Sequence, residues 1–379
     1  MNLTAGFASL EGTARYSGAH AAAKGHYRQS QGLTFSSVGM GSYLGETDSA
    51  ARAAYADATL VALQSGINVL DTAANYRDQA SERDLGAGIA RFLAAGGRRD
   101  EIVVASKAGF IHGDCDEPDG DAWFDATFLD PSAPVLLPGD VVSGHSLAPR
   151  FIERQLDRSR ANLGLACLDI YYLHNPEHQL EWGISESAFY DRIEAAFEAL
   201  ERAVDAGKLR MYGVATWDGL RAGPEEKGHL SLVKLVHHAG AARMKAGGKA
   251  SEHHFRAIQL PVNLVMTEAF LRPGQPFRFG AQTILAAAKE LGMVVMSSAS
   301  LMQMRIAGRI PPEYAMALGT RGDAATALQF TRSVPGVTTA LVGMGRPEHA
   351  TANAAFATSH APDSGTVKTL LGTGSIHGA

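Results

Sequence analysis

The chain has 379 residues, of which 46% are hydrophobic and 19% charged, and this balance excludes a disordered or supercharged protein. Its 34 Lys and Arg against 39 Asp and Glu give a formal charge of −5, without the basic surface expected of a nucleic-acid binder. Two cysteines, Cys115 and Cys167, are too few for a disulfide framework. The sequence has no apolar run of the ~18 residues that a membrane span needs, and its first 30 residues lack the apolar core of a secretory signal. We therefore expect a cytoplasmic protein that binds neither nucleic acid nor membrane; its oligomeric state is left open.

Short runs rich in Val, Ile and Tyr alternate along the chain with longer segments of helical period. The first 30 residues are rich in Gly, Ala and Ser and predict an extension or a capping hairpin. Eight strands are then predicted, at residues 34–40, 67–70, 102–106, 169–173, 209–215, 257–262, 293–297 and 339–342. Helices are predicted at residues 49–65, 81–95, 149–163, 187–206, 229–245, 281–291, 324–333 and 347–356.

Eight strands, each followed by a helix, is the count of an α/β fold of the (β/α)₈ or TIM barrel type. The alternative, a doubly wound sheet, usually opens its first helix with GxGxxG, and here the third glycine, Gly45, comes one position too late. We predict a single barrel domain over residues 31–358, preceded by the extension or hairpin of residues 1–30 and followed by a C-terminal tail, residues 359–379. A long loop insertion after strand three, residues 109–147, is expected to be either a substrate lid or a solvated insertion.

Ionisable residues stand at the carboxyl ends of three successive predicted strands, where barrel enzymes carry their catalytic groups. Asp71 follows the second strand, Lys107 the third and His174 the fourth, and Tyr76 lies five residues after Asp71. Because a nearby ammonium lowers the pKa of a phenol, we expect Lys107, held by Asp71, to make Tyr76 a general acid. A neutral His174 is expected to orient a substrate carbonyl. The set predicts proton donation to a carbonyl oxygen while the carbonyl carbon receives a hydride.

The same residues resemble the signature of the aldo-keto reductase family, which reads here as Asp71-Thr72-Ala73-Ala74-Asn75-Tyr76, Ser81-Glu82 and Leu85-Gly86. The similarity covers roughly residues 30–357 and continues through Ser106-Lys107, Asp169 to His174, Gly207-Lys208, Gly213-Val214, Gln259 and Gly343 to Asn353. The resemblance implies an NAD(P)H-dependent oxidoreductase that interconverts an aldehyde or ketone and its alcohol. Residue by residue, it implies Tyr76 as acid/base with Asp71, Lys107 and His174 as its partners.

The resemblance also implies contacts to a nicotinamide cofactor, which fall on Ser42, Thr216, Gln259, Ser298, Leu301 and Asn353. Two positions depart from the family pattern. Ala215 and Thr216 stand where Ser-Asn is common, and Ser298 stands where an aromatic ring commonly stacks on the nicotinamide. Tyr43 and Trp217 are the candidates for a replacement ring and for the substrate pocket.

A glycine-rich segment follows the eighth predicted strand and opens the last helix. Glycine lets a backbone approach a ligand closely, and a helix N-terminus attracts anions. Gly343, Gly345 and Arg346 are therefore predicted to bind the cofactor's phosphates. The basic residues that usually hold the 2′-phosphate are not matched; with Arg346 as their substitute, NADP is favoured as cofactor and NAD is the alternative.

Two other functions stay open on the sequence. The chain could be a sensor or regulatory subunit that binds a nicotinamide cofactor with little turnover, as the altered contacts suggest, or a barrel isomerase or lyase without such a cofactor. No metal is expected, because the spacing of His112, Asp114, Cys115 and Asp116 fits no known site. The substrate is a small carbonyl compound or alcohol. The run from His174 to Glu177 suggests a polar pocket rim suited to a sugar or another hydroxylated carbonyl.

Overall fold

The computed structural model describes residues 3–277, 280–306, 308–362 and 364–373. The strands in these ranges are β1 (Tyr27–Ser30), β2 (Leu33–Ser36), β3 (Val38–Gly41), β4 (Val69–Asp71), β5 (Val103–Ala108), β6 (Val141–Val142), β7 (His145–Ser146), β8 (Leu168–His174), β9 (Leu209–Ala215), β10 (Phe255–Pro261), β11 (Gln275–Phe277), β12 (Gly280–Gln282), β13 (Val294–Ser298) and β14 (Thr339–Gly343).

The helices are α1 (Leu10–Ala19), α2 (Ser49–Gln64), α3 (Ala80–Ala94), α4 (Gly120–Phe128), α5 (Pro149–Leu163), α6 (His178–Glu181), α7 (Glu186–Asp205), α8 (Leu232–Lys245), α9 (Glu268–Leu271), α10 (Ile284–Glu290), α11 (Pro312–Leu318), α12 (Asp323–Ser333), α13 (Pro347–Ala354) and α14 (Ser364–Thr373). Short 3₁₀ turns lie at Arg99–Glu101, Ala250–Glu252, Met302–Met304 and Ala355–Thr358. None of the helices in the described ranges combines the length and hydropathy that crossing a bilayer requires.

Eight parallel strands close into a barrel in the order β3-β4-β5-β8-β9-β10-β13-β14, and β14 pairs again with β3. The predicted (β/α)₈ TIM barrel is thereby confirmed. The helices that return the chain to the next strand are α2, α3, α5, α7, α8, α10 and α12, and α13 follows the last strand. The division of the chain at residues 30 and 358 stays a prediction.

Local sequence signals set the ends of these helices. Asp48 caps α2 by accepting hydrogen bonds from the backbone N–H groups of Ala50 and Ala51, and Ser185 caps α7 in the same way. Helix α5 starts with Pro149 and ends at Gly164, whose φ of 70° is the left-handed conformation that glycine adopts without strain. The predicted bounds of α5, residues 149–163, match the structure residue for residue.

Alternate residues of the barrel strands point inward and pack against one another. Val69 of β4, Val103 and Ala105 of β5, and Ile170 and Tyr172 of β8 belong to this interior cluster. Because side chains of a strand alternate between its two faces, the next inward positions are Asp71, Lys107 and His174. The strand period therefore sends the three predicted polar residues to one end of the barrel interior.

The predicted strand at residues 34–40 is wrong as a single element. Leu33–Ser36 forms a hairpin with Tyr27–Ser30, and only Val38–Gly41 enters the barrel. The chain turns at Ser37, whose N–H donates to the carbonyl of His26 at 2.6 Å. Leu33 and Phe35 pack into the interior cluster and close the amino-terminal end of the barrel. Helix α1, capped by Ser9, was not predicted in this Gly/Ala-rich segment.

Residues 109–147 are more structured than the predicted loop. They contain α4 and a short antiparallel hairpin of β6 and β7, and Phe128 of α4 is fully buried. The predicted C-terminal tail contains α14, and its residues 374–379 lie outside the described residues. The short helices α6, α9 and α11 were also missed, because four to seven residues give too little periodicity to recognise.

Candidate active site

A buried ion pair lies at the carboxyl ends of β4 and β5. The ammonium of Lys107 is 2.6 Å from Asp71 Oδ2 and donates to the carbonyl of Thr72 at 2.8 Å. The other carboxylate oxygen of Asp71 accepts a hydrogen bond from Gln259 Nε2 at 2.7 Å. Burial by itself lowers the pKa of Lys107, but Asp71 and Tyr76 together outweigh it and the pKa is raised. Lys107 is therefore a fixed positive charge inside the barrel.

Tyr76 lies against this charge. The Lys107 Nζ is 4.8 Å from the centre of the Tyr76 ring, and the ring meets Tyr43 and His174 edge-on, with centroid distances of 5.0 and 5.6 Å. We predicted that Lys107 lowers the pKa of Tyr76. The net direction is the opposite, because burial raises the pKa above its usual 10 and Lys107 offsets only part of this effect. Tyr76 consequently keeps its proton at neutral pH.

His174 completes the cluster as a neutral base. Burial lowers its pKa well below 6.5, and the Lys107 charge lowers it further. Its Nδ1 is 3.2 Å from Asn75 Oδ1, and its ring meets Phe110 edge-on at 5.2 Å. Because the amide oxygen of Asn75 can only accept, Nδ1 carries the single proton of the uncharged imidazole, and Nε2 is left as an acceptor for a substrate hydroxyl.

The segment that follows Tyr76 is held in an unusual backbone conformation. Residues 77–79 all have left-handed φ angles, of 53°, 46° and 72°, although none is glycine. Such strain persists where surrounding contacts impose it, and here the insertion supplies them. Gln79 Nε2 donates to the carbonyl of Gly113 at 3.0 Å, and Asp78 Oδ1 accepts from the N–H of Gly113 at 3.2 Å. The start of the insertion thus fixes the loop that carries Tyr76.

Ser42, the first of the predicted cofactor contacts, makes hydrogen bonds within the protein. Ser42 is fully buried, and its hydroxyl donates to the carbonyl of Asp71 at 3.2 Å. Ser81 in turn donates its hydroxyl proton to the carbonyl of Ser42 at 2.7 Å. These bonds connect β3, β4 and α3 behind the ion pair.

Thr216 and Gln259 lie side by side at the ends of β9 and β10. The N–H of Thr216 donates to the carbonyl of Gln259 at 2.8 Å. The Thr216 hydroxyl is buried and has no hydrogen-bond partner within the described part of the chain. Since a buried polar group without a partner is costly, this hydroxyl fits a ligand that carries a complementary polar group, such as an amide.

The remaining predicted contacts lie after β13 and β14. Ser298 ends β13, and Leu301 lies in the following turn, where Ala299, Met302, Gln303 and Met304 have left-handed φ angles. Gly343 ends β14 opposite Gly41 and has an exposed backbone, with no atom within 4 Å of where a Cβ would stand.

Gly345 and Arg346 lead from β14 into α13. A Cβ on Gly345 would come within 3.1 Å of the Tyr55 ring, so glycine is needed there for packing. Arg346 is the exposed N-cap residue of α13, and Asn353 lies half-buried near its end. The Arg346 guanidinium and the positive end of the α13 dipole form an electropositive edge.

Tyr43 contacts the Tyr76 ring, and Trp217 follows the end of β9 by two residues; they are 53% and 44% exposed. Three further residues near the site were missed, namely Asn75, Phe110 and His145. Asn75 lies inside the recognised motif, but nothing in the spacing shows that it meets His174, 99 residues away. His145 Nε2 contacts the carbonyl of His174 at 2.8 Å, and a histidine inside a long insertion offers no signal of such a contact.

The acidic segment of the insertion has a structural explanation. Ligand atoms of Asp114, Cys115 and Asp116 lie within 4.8 Å of one another. Arg83 pairs with both carboxylates, at 2.6 and 2.5 Å, and Arg52 pairs with Asp116 at 2.6 Å. The arginines thus satisfy the charges of these carboxylates and attach the insertion to α2 and α3.

A family model and known relatives match parts of this chain. Residues 37–222 match the model of the aldo/keto reductase family. A D-threo-aldose 1-dehydrogenase of a Pseudomonas species is 31% identical over 158 residues, which are 41% of this chain and 41% of that protein. The NADP(+) aldo-keto reductase yakc of Schizosaccharomyces pombe is 27% identical over 150 residues, 40% of this chain and 33% of that protein. The chain therefore spans less than half of the length of either relative.

Solved structures resemble the whole barrel. An aldo/keto reductase from Klebsiella pneumoniae, determined in complex with NADP and acetate, superposes with a TM-score of 0.57 at 19% identity, over 92% of this chain and 94% of that one. The holo form of an aldo-keto reductase from Bacillus halodurans gives a TM-score of 0.54 at 18% identity, over 91% and 95% of the two chains. At this identity the likeness is one of fold. The match to the aldo/keto reductase family model covers residues 37–222, just under half of the chain, and includes Asp71, Tyr76, Lys107 and His174, so this part of the chain is similar to that family.

Proposed function

We propose that the protein is an NADP(H)-dependent oxidoreductase that interconverts an aldehyde or ketone and its alcohol. The observation that carries the proposal is the convergence of a protonated Tyr76, a charged Lys107 and a neutral His174 at one end of the barrel. A phenol beside a fixed ammonium suits proton transfer to a carbonyl oxygen, whereas no nucleophile paired with a base occurs among these residues.

In the reducing direction the Tyr76 hydroxyl donates its proton to the substrate oxygen. Lys107 stabilises the phenolate that remains, because its ammonium lies beside the ring and cannot move away from Asp71. Neutral His174, whose Nδ1 donates to Asn75 Oδ1, lies beside Tyr76 and presents an Nε2 that can accept a hydrogen bond from a substrate hydroxyl. In the oxidising direction the phenolate accepts the alcohol proton, so the same four side chains serve both directions.

The nicotinamide cofactor, when bound, supplies or takes up the hydride. Thr216 and Gln259 would bind its amide, since the Thr216 hydroxyl is buried without a partner in the described part of the chain. Ser298 and Leu301 would line the same side, and Gly343, Gly345, Arg346 and Asn353 would hold the phosphates and the adenosine. Ser42 would contribute indirectly, through the hydrogen bond that its hydroxyl donates to the carbonyl of Asp71. The Arg346 charge, and relatives named or crystallised with NADP, support NADP over NAD.

For the substrate we propose a hydroxylated aldehyde of the aldose type. The support is the Pseudomonas relative, which is named for the oxidation of D-threo-aldoses. Tyr43 and Trp217 offer exposed aromatic faces, and such faces pack well against sugar rings. D-Threose is therefore the first substrate to assay, for oxidation at C1, as in the name of the relative, with NADP+ and for reduction at C1 with NADPH.

The proposal is tested by replacing Tyr76 with Phe, which removes the donated proton and keeps the ring. We expect turnover of D-threose with NADPH to fall by at least about 100-fold, with the dissociation constant for NADPH changing less than about threefold. Tyr27→Phe, in the hairpin at the opposite end of the barrel, is the matched control and should retain turnover. Undiminished turnover in Tyr76→Phe would remove Tyr76 from its role.

Tight NADPH binding without turnover of a carbonyl panel by the wild type would favour the sensor function, and failure to bind NADPH or NADH would favour an isomerase or lyase.

A further inference from the structure

Glu177 is a buried carboxylate that the chemistry above does not use. It lies three residues after the end of β8 and is only 2% exposed. The sequence predicted it in a polar pocket rim, and this is wrong: the side chain turns inward, onto the loop that follows β9. The polarity of the run from His174 to Glu177 therefore gives no support to a sugar substrate.

One oxygen of Glu177 binds three successive backbone N–H groups of that loop. Its Oε1 accepts hydrogen bonds from Trp217 at 2.6 Å, Asp218 at 3.2 Å and Gly219 at 3.3 Å. The other oxygen, Oε2, has no partner among the described residues. Burial raises the pKa of Glu177 to about 7, and the bonds from the N–H groups limit the rise. A carboxylate oxygen that accepts three backbone hydrogen bonds holds the loop that donates them in place.

The strand register explains why the loop matters. β8 and β9 are neighbours, with His174 opposite Ala215, and the N–H of Asn175 donates to the carbonyl of Ala215 at 2.6 Å. Asn175 has a left-handed φ of 45°, which turns the chain so that Glu177 reaches the adjacent loop. Thr216 and Trp217 are the first two residues beyond β9, whose last residue, Ala215, lies opposite His174.

The other attachments of the loop run within it or to elements other than β8: the N–H of Leu230 donates to the carbonyl of Gly219 at 2.8 Å, and Arg221 pairs with Glu268 of α9 at 2.5 Å. Arg221 donates its Nε proton to the carbonyl of Trp217 at 3.1 Å and pairs with Asp218 at 2.5 Å. Both bonds come from within the same loop or its continuation, so they shape it without joining it to β8. Among the described residues, Glu177 is the side chain that joins the β8 loop to the N–H groups of residues 217–219.

We propose that Glu177 is a positioning residue that holds the loop of Trp217 at the carboxyl end of β9 and so sets the affinity for substrate. The proposal rests on the proposed function, because it assigns Trp217 to the substrate pocket. Glu177 touches backbone only; its effect on the reaction passes through Trp217. Its loss should raise the KM for substrate and leave proton transfer from Tyr76 largely intact.

The experiment measures the fluorescence of Trp217 itself. The chain has three tryptophans, so Trp123→Phe with Trp182→Phe leaves Trp217 as the only emitter of the full-length protein. In this background we expect Glu177→Ala to increase acrylamide quenching of Trp217 about twofold or more. We also expect it to raise the KM for D-threose about tenfold, as for the loss of a buried charged hydrogen-bond acceptor, with kcat changing less than about threefold.

Two further variants separate positioning from general damage. Glu177→Gln keeps an acceptor oxygen for the three N–H groups and should restore most of the quenching and KM of the parent. Glu181→Gln makes the same change of charge on an exposed residue four positions along and should behave as the parent. If Glu177→Ala does not fold, Glu177→Asp replaces it: the carboxylate stays but is one methylene too short, and the same shifts are expected.

Unchanged quenching in a folded Glu177→Ala or Glu177→Asp variant would overturn the proposal, whether or not the protein is an enzyme. Increased quenching with an unchanged KM would overturn the link between the loop and substrate affinity. A parent protein without turnover would instead contradict the proposed function, and the quenching would still decide whether Glu177 holds the loop.

Discussion

Tyr76 holds its proton because burial and a neighbouring charge act on it in opposite directions. Burial raises the pKa of the phenol, and the Lys107 ammonium offsets only part of the rise. The same ammonium helps to keep His174 neutral. At the scale of single residues the site therefore combines a protonated acid, a neutral imidazole and one fixed positive charge, the states that reduction of a carbonyl requires.

These protonation states predict the pH dependence of reduction. His174 is neutral above its usual pKa of 6.5 because its pKa is lowered, and Tyr76 is protonated below its usual pKa of 10 because its pKa is raised. We expect kcat for reduction of D-threose at saturating NADPH to be constant, within about twofold, from pH 7 to pH 9.5. Steady-state rates across this range would check it, and a titration of kcat with a midpoint between pH 7 and 9 would contradict it.

At the scale of elements, the two-residue period of the strands accounts for the assembly of the site. Val103, Ala105 and Lys107 share the inward face of β5, as Ile170, Tyr172 and His174 share that of β8. The apolar members fill the barrel and the last member reaches its end. This is why a sequence reading of strand ends could predict the ion pair and the position of His174.

Helix packing outside the barrel depends on a close crossing of α2 and α3. A Cβ on Gly88 would lie 2.4 Å from Thr59 Cβ and 2.7 Å from the carbonyl oxygen of Ala56. We expect Gly88→Ala to lower the free energy of unfolding by about 1–3 kcal/mol through overpacking. Gly120→Ala in α4, where nothing lies within 4 Å, should change it by less than about 1 kcal/mol. Urea midpoints at equal m-values measure both, and equal midpoints for the two variants would refute the packing argument.

Some elements could not be predicted, for physical reasons. The single strand expected at residues 34–40 is divided because the turn at Ser37 depends on a bond to His26, eleven residues away. Helix α4 lies in a stretch rich in Asp and Gly, and Phe128, near its end, is fully buried in the core. Glu177 looked like a solvated rim residue, because its three partners belong to a loop some forty positions further along. In each case a long-range contact outweighed the local pattern.

At the scale of the whole molecule, the insertion of residues 109–147 is attached to the barrel at both ends. Asp114 and Asp116 bind arginines of α2 and α3, and His145 of β7 contacts the carbonyl of His174. The insertion is thus part of the folded barrel around the site. We infer that its acidic segment serves stability, since its charges are paired with arginines.

The buried His145 predicts an acid-induced loss of stability. Burial lowers the pKa of His145 to about 4, against about 6.5 in the unfolded chain. The unfolded state therefore binds a proton below pH 6.5 that the folded state refuses until about pH 4, so the stability that His145 contributes is complete above pH 6.5 and is lost as the pH falls towards 4. The loss for this residue is about 3 kcal/mol.

His145→Gln isolates this contribution, because glutamine does not titrate. We expect the free energy of unfolding, measured with urea, to fall more steeply between pH 7 and pH 4 in the wild type than in the variant, by about 3 kcal/mol over the range. Parallel curves for the two proteins would show that His145 is not the titrating group.

The most direct test of the proposed reaction is the transfer of deuterium from the nicotinamide to the substrate. NADPH deuterated in turn on each face of C4 would be incubated with the wild-type protein and D-threose, and the alcohol product analysed by mass spectrometry and NMR. We predict that deuterium from one of the two labelled forms appears on the former carbonyl carbon, one atom per product molecule, and that Tyr76→Phe slows its appearance by at least about 100-fold. Product that carries no deuterium from either form, or equal rates in the wild type and Tyr76→Phe, would contradict hydride transfer coupled to proton donation by Tyr76.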